Sequence, residues 1–271
     1  MPELPEVETT RRGIEPHVVN NKIIRVEIRQ PSLRWPITKS LSENIENRAA
    51  TELVRRGKYI LFQFTNGTML LHLGMSGSLR IVTKDSIVGK HDHVDFCFAD
   101  GIILRYTDPR RFGAILWTDE DVLSHELLIH LGPEPLLDEF TADYLFEKSR
   151  KRTVAIKNFI MDSKVVVGVG NIYANEALFL SGIKPSGMAS KISKAKYQLL
   201  VENIKLILLQ AIKQGGTTLR NFVGGDGKPG YFKQELKVYG RGGEPCVNCT
   251  KPLKEIRIGQ RSTVYCTKCQ S

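Results

Sequence analysis

Between residues 20 and 117 the chain is built of short apolar runs: KIIRVEI, YILFQF, TMLLHL, SLRIV, HVDFCFA, IILRY and AILW. They are β-branched or aromatic and partly alternate with polar residues, which is the period of a strand with one buried face. Asn66-Gly67 and Asp100-Gly101 separate such runs and are expected to supply the positive φ of tight hairpins. The pattern predicts a β-sandwich or barrel. A short helix over residues 5–13 is expected to precede it, with Pro5 and Glu6 in the first turn and Gly13 as the stop.

The period changes at LGPEPL, residues 131–136, whose prolines read as a linker. Beyond it ADYLFEKSR, VAIKNFIMD, IYANEALFLSG and SKAKYQLLVENIKLILLQAIKQGG are helical in pattern, the last two closing on glycine. RNFVGGDGKPGYF, residues 220–232, reads as a glycine-rich mobile loop, and the last 30 residues as a separate small module. The expected class is α+β.

At 271 residues the chain can bury one large core or two ordinary ones, and two is the usual outcome. No apolar run approaches the roughly 20 residues of a membrane span. The start carries glutamates rather than a basic and then apolar leader, so a cytoplasmic protein is expected. Charge narrows the partner. The net +10 is uneven, because residues 220–271 hold 10 Lys/Arg against 4 Asp/Glu, a net +6. Such a balance points to a polyanion, most commonly nucleic acid, and is shared by ribosome-associated and membrane-surface proteins.

Four of the five cysteines stand as Cys246-x2-Cys249 and Cys266-x2-Cys269, a spacing that closes four thiolates around one structural Zn²⁺. Disulfides are the alternative, but nothing indicates an oxidising compartment. A module this small draws much of its folding energy from the metal. Between the knuckles, β-like runs meet at Gly259-Gln260-Arg261, which places Arg261 at a hairpin tip. Cys97 reads as a buried structural residue. His91 and His93 lack a third ligand for a second metal, and Gly168-x-Gly170 lacks the third glycine of a dinucleotide fingerprint. Pro2 has two readings. It belongs to a helix start, or, once Met1 is removed, it carries a secondary amine beside Glu3 that attacks carbonyl-like carbon. On these features alone a zinc-ribbon protein that only binds DNA remains open.

Several stretches occur together in order: MPELPEVET, RRGKY (55–59), HLGMSGSLR (72–80), KHDHVDF (90–96), RYTDPRRFGA (105–114), VGVGNIYANE (167–176), DGKPGYFKQELKVYGR (226–241) and the four-cysteine module. Over essentially the whole chain they resemble the bacterial formamidopyrimidine-DNA glycosylase family of oxidised-purine repair enzymes. The resemblance implies a catalytic β-sandwich over 1–130, a helical domain with a helix–two-turn–helix over 131–225, and the end of a lid loop with a zinc finger over 226–271. Damaged double-stranded DNA would bind between the domains of a monomer associated with the nucleoid.

The same resemblance implies the roles. Pro2 would be the nucleophile and Glu3 the acid/base, with Glu6 in support. Lys58, expected on a strand, would serve β-elimination, and Arg261 δ-elimination at the other phosphate. Met75, Arg110 and Phe112 would fill the void left by the flipped nucleotide. His91, Asn171 and Lys151 or Arg152 would hold the DNA backbone, and Lys157 would point towards the lesion pocket. Residues 220–232 would close over the flipped base, with Arg220 where lysine is common. The implied activity is glycosylase and apurinic/apyrimidinic lyase on 8-oxoguanine opposite cytosine and on formamidopyrimidines. The rivals are an endonuclease VIII-like enzyme for oxidised pyrimidines and an inactive zinc-ribbon protein.

Overall fold

The structure is a computed structural model that describes residues 2–215 and 236–271. Met1 and the glycine-rich loop with Arg220 lie outside the described residues. The chain divides into two compact units, the first holding residues up to Ile129 and the second His130–Lys213 and the C-terminal module.

In the first unit α1 (Leu4–Val18) precedes eight antiparallel strands in two four-stranded sheets. One sheet has the order β1 (Ile23–Ile28), β6 (Asp92–Phe98), β7 (Ile102–Thr107), β5 (Ser78–Thr83). The other runs β2 (Glu52–Arg56), β3 (Tyr59–Phe64), β4 (Gly67–His72), β8 (Ala114–Thr118). Alternate residues turn inward, Ile60 opposite Leu71 and Phe62 opposite Met69 in one sheet, Phe96 opposite Leu104 in the other. They meet in a single core with Val7, Ile14 and Val18 of α1. The expected sandwich is therefore present.

Helix α1 runs through Gly13, where the pattern predicts a stop. Ile14 and Val18 are wholly buried, and their burial outweighs the roughly 1 kcal/mol cost of a helical glycine. Strand β2 carries Glu52, Arg55 and Arg56, and its polar composition hides it from periodicity. Its partner is α1: Glu8 accepts from Arg55 Nε at 3.2 Å and Arg11 donates to the Leu53 carbonyl at 3.0 Å. Hydrogen bonds from Arg11 and Arg12 hold the Glu8 carboxyl below its usual range against the upward push of burial. At Asn66-Gly67, Gly67 pairs with Phe64 inside the ladder, and a Cβ there would lie 2.5 Å from Trp117. Close packing requires this glycine. Gly67 and Gly101 both have the expected positive φ, 150° and 89°.

The first unit also holds the short helix α2 (Leu41–Ile45), and the second contains α3 (Ala142–Ser149), α4 (Ile156–Met161), α5 (Asn171–Leu180) and α6 (Lys194–Lys213). Tyr197, Leu200, Val201, Ile204, Leu208 and Ala211 make the buried stripe of α6 at helical spacing. Residues 131–136 are packed rather than loose: Gly132 N donates to Ser163 O at 2.8 Å and Val167 N to Pro133 O at 3.2 Å. The hairpin β9 (Lys254–Ile258) and β10 (Arg261–Tyr265) completes the C-terminal module. Phe179 of α5 joins its small core with Val238, Leu253 and Val264.

Candidate functional site

The chain start is built into the first unit. Pro2 is buried, and Glu3 and Glu6 are 2% and 1% exposed. The two glutamates close a reciprocal capping box at the N-terminus of α1, with Glu3 N donating to Glu6 Oε2 at 2.8 Å. Glu6 thereby fixes the backbone of the residue beside Pro2, and a carboxylate is favoured at this end of the helix dipole. The prolyl residue and its neighbouring acid thus share one rigid frame.

Lys58 occupies the second position of the two-residue turn joining β2 and β3, not a strand. Gly57, with φ of 59°, takes the first, as a II′ hairpin requires. Near it lies His72, at the end of β4, whose ring stands 4.8 Å from Tyr59. Its Nδ1 accepts from Gly74 N at 3.0 Å, so the ring proton sits on Nε2. Burial lowers the His72 pKa to about 4, helped by the charges of Lys58 and Arg34 and opposed by Asp108. The ring is neutral at pH 7 and offers one donor.

Two loops bring Met75, Arg110 and Phe112 together. A Cβ on Gly74 would lie 2.4 Å from the Phe112 backbone, so only glycine permits this contact. Met75 and Phe112 are 38% and 41% exposed, large apolar side chains presented to solvent, and the Arg110 guanidinium covers the Phe112 ring at 4.8 Å. The fully buried carboxylate of Asp108 organises both loops. Oδ1 accepts from Ser76 Oγ at 2.9 Å and Arg110 N at 3.2 Å; Oδ2 accepts from Tyr106 Oη at 3.0 Å and Gly113 N at 2.9 Å. His93 Nε2 lies 2.7 Å from the Asp108 carbonyl, while the half-buried His91 receives the Asp108 N–H on its own carbonyl. Asp108 and His72 fall inside the motifs quoted above, but nothing in their spacing marks a hub of hydrogen bonds.

In the second unit Lys151 and Arg152 are exposed between α3 and α4. Asn171 is half-buried and opens α5, after Gly170 as N-cap, at the end of the helix whose dipole favours anions. Arg261 is exposed directly after the turn Gly259-Gln260, whose φ values of 55° and 60° fit a I′ hairpin.

Lys157 departs from expectation. It is wholly buried, and its ammonium donates to Ser262 O at 2.9 Å and Thr263 Oγ1 at 2.6 Å. Thr263 Oγ1 in turn donates to the Arg261 carbonyl at 3.1 Å. An ammonium this deep in the fold stays only where acceptors replace water, and these acceptors belong to the hairpin. Lys157 ties α4 to the Arg261 strand. Asn175, also fully buried, donates to Asn171 O at 2.6 Å and accepts from Val264 N at 2.9 Å. Glu176 accepts from the backbone of Lys237, Val238 and Tyr239, although burial pushes its carboxyl up. Neighbouring residues of α5 thus fix the module before and within its hairpin.

The four cysteine sulfurs lie within 4.8 Å of one another, with Cys246–Cys269 at 3.9 Å and Cys249–Cys266 at 3.5 Å. A tetrahedral site with Zn–S of about 2.3 Å has S–S edges of roughly 3.8 Å, so the cluster fits one zinc and no disulfide. Left to themselves the thiols divide: hydrogen bonds from backbone N–H groups overcome burial to draw Cys266 down to about 6, while Cys269 beside Cys249 is pushed up to about 12. A divalent cation allows all four to ionise. Among the described residues no other His, Cys, Asp or Glu cluster suits a metal.

Three family profiles cover the chain: the formamidopyrimidine-DNA glycosylase N-terminal domain over residues 1–115, the H2TH domain of the same enzymes over 131–223, and the zinc finger found in FPG and IleRS over 243–271. The formamidopyrimidine-DNA glycosylases of Marinomonas sp. and Saccharophagus degradans are 65% and 61% identical to it, with each chain fully covered. Among solved structures, the Lactococcus lactis enzyme with Fapy-dG-containing DNA superposes with a TM-score of 0.91 at 36% identity, over 99% of this chain and 100% of that one. The Thermus thermophilus protein gives 0.90 at 33%, over 99% and 98%. No helix among the described residues is long and apolar enough to cross a membrane. With sandwich, H2TH helices and four-cysteine zinc finger each met by a family profile, and relatives matched over the whole chain, the chain belongs to the formamidopyrimidine-DNA glycosylase family of DNA-repair enzymes.

Proposed function

We propose that this glycosylase excises oxidised purines, 8-oxoguanine opposite cytosine and formamidopyrimidines, from duplex DNA and then cleaves the strand as a lyase, acting as a monomer. The observation that carries the chemistry is the buried Pro2-Glu3 start locked by the Glu3–Glu6 capping box. Removal of Met1 makes Pro2 the α-amino group, a class whose unperturbed members ionise near 7.7–8.0, well below lysine, and so are easier to present neutral at physiological pH. Its lone pair attacks the sugar C1′, the base leaves with the glycosidic electron pair, and Glu3 protonates the ring oxygen as the sugar opens. The resulting iminium acidifies the C2′ hydrogen. Loss of that proton expels the 3′ phosphate, and a second elimination expels the 5′ phosphate. Hydrolysis then frees the proline.

Lys58 is assigned to the first elimination and Arg261 to the second. Arg261 is permanently charged, so it stabilises the departing phosphate instead of donating a proton. Met75, Arg110 and Phe112 occupy the space of the flipped nucleotide, Phe112 as an apolar wedge and Arg110 as donor to the orphaned cytosine. His91, Asn171 and Lys151 or Arg152 bind phosphates, so affinity falls with salt. The zinc ion holds the Arg261 hairpin and takes no part in bond breaking.

Single-turnover release from duplexes containing 8-oxoguanine opposite cytosine and from duplexes containing thymine glycol tests the substrate class. Faster release of 8-oxoguanine, with both 3′- and 5′-phosphate ends at the gap, is expected. Faster release of thymine glycol assigns the chain to oxidised pyrimidines and overturns the proposal.

A further inference from the structure

A cavity of about 530 Å³ opens on the first unit, lined by Ser32, Leu33, Arg34, Arg110, Arg111 and Phe112. Two constrained loops form it. The 31–36 loop is closed by Ile37 N donating to Pro31 O at 2.8 Å and by a bridge between Ser32 and Pro36. It is fixed to the second loop by Arg34 N donating to Gly113 O at 3.2 Å. Arg34 stacks its guanidinium on Trp35 at 4.7 Å. Arg111 takes a φ of 55°, a left-handed conformation unfavourable for a non-glycine residue, and is held there by its N–H on Asp108 O at 3.2 Å.

Charge separates these arginines from others in the same unit. Arg11, Arg29, Arg55, Arg80 and Arg105 all face carboxylates. Arg34, Arg110 and Arg111 have no carboxylate partner among the described residues, although they share one cavity. Three uncompensated guanidiniums in a fixed concave site form a receptor for a tetrahedral oxyanion, which each fork can grip with paired N–H donors.

We infer that Arg34 and Arg111 bind one backbone phosphodiester of the undamaged DNA strand. This rests on the reading that Arg110 and Phe112 enter the duplex and face the orphaned cytosine. Arg34 and Arg111 flank those two residues around the same cavity, so the backbone they meet is that of the strand carrying the cytosine. The lesion strand is held by other residues. Stacking on Trp35 and anchoring on Asp108 pre-organise the two arginines, which reduces the ordering cost of binding.

The test measures binding of the full-length protein to a duplex with a tetrahydrofuran abasic analogue opposite cytosine. Methylphosphonates replace the phosphates of either strand one at a time. Arg34→Ala and Arg111→Ala are each expected to weaken binding roughly tenfold and to reduce the slope of log affinity against log salt by about 0.9. One neutralised phosphate in the intact strand should weaken wild type but not these variants. Arg34→Lys, which keeps the charge and loses the fork, should fall between. If no intact-strand phosphate couples to either variant, or the coupled phosphate lies in the lesion strand, the inference is wrong. Phe112→Ala tests the underlying reading separately: wild-type binding and excision there would sink the wedge, whereas an impaired Phe112→Ala without a coupled phosphate would sink only the arginine site.

Discussion

Replacing Asp108 with asparagine should loosen the loop that carries Arg110 and Phe112. The carboxylate receives four donors, two on each oxygen. Asparagine keeps one carbonyl oxygen and presents an amide N–H₂ where the other stood. If the amide faces Tyr106 and Gly113, the phenol can rotate and accept, although its pKa is pushed well above the ordinary value by burial and Asp108. The Gly113 N–H cannot turn. If the amide flips, the Arg110 N–H is orphaned instead. Either way one backbone donor loses its partner, at a cost of about 1–3 kcal/mol.

Urea unfolding followed by tryptophan emission reads this cost in the right place, because both tryptophans, Trp35 and Trp117, belong to the first unit. The midpoint should fall with the slope unchanged. Single-turnover excision of 8-oxoguanine should slow by tenfold to a hundredfold, on the order expected when positioning groups move by about 1 Å. A variant with unchanged midpoint and rate refutes the hub. A lower midpoint with unchanged excision refutes its link to the wedge.

Lys157→Met should leave excision and the first elimination largely intact but lower the share of product with 3′-phosphate ends in favour of 3′-unsaturated aldehyde ends, because the Arg261 strand loses its anchor; an unchanged product ratio on a sequencing gel contradicts this. Removing zinc by chelation, or by Cys249→Ser, should abolish tight DNA binding without altering the tryptophan-monitored unfolding of the first unit. Full affinity in metal-free protein would contradict a structural role. Acid should unfold the first unit in two stages. The His72 pKa is lowered from 6.5 to about 4, so between these values the unfolded chain takes up a proton that the folded chain refuses, and stability falls by at most about 3 kcal/mol. His72→Gln should remove that slope, and its persistence would refute the assignment. Asp92 and Asp95 are held low, against burial, by hydrogen bonds from Thr107 and from Arg105 and Arg29 respectively. Their contribution is complete above the unfolded value near 3.9 and vanishes as pH falls through the lowered folded values.

Sandwich, helices and zinc module were legible because each depends on local pattern. Strands β1 and β3 to β8 are short apolar, partly alternating runs, α6 repeats at helical spacing, and two CxxC pairs define a metal site without reference to anything distant. What escaped depends on partners far along the chain. Strand β2 pairs its Arg55 with Glu8, 47 residues away. Gly13 reads as a helix stop until Ile14 and Val18 are seen in the core. For Lys157 the resemblance implies a place by the lesion pocket, and its bonds to Ser262 and Thr263, more than 100 residues later, are seen only in the fold. Asp108 sits in a motif that reads as an arginine-bearing turn; three of its donors lie within five residues of it, but the fourth, Ser76, is 32 residues away and joins the two loops only in the fold.

The central claim is that the N-terminus is the active site. Borohydride reduction of the mature protein mixed with an 8-oxoguanine duplex, followed by proteolysis and mass spectrometry, tests it directly. The account predicts a covalent adduct on the peptide beginning at Pro2, lost in Pro2→Gly and in protein that retains Met1. An adduct on any other residue, or one that survives Pro2→Gly unchanged, would contradict it.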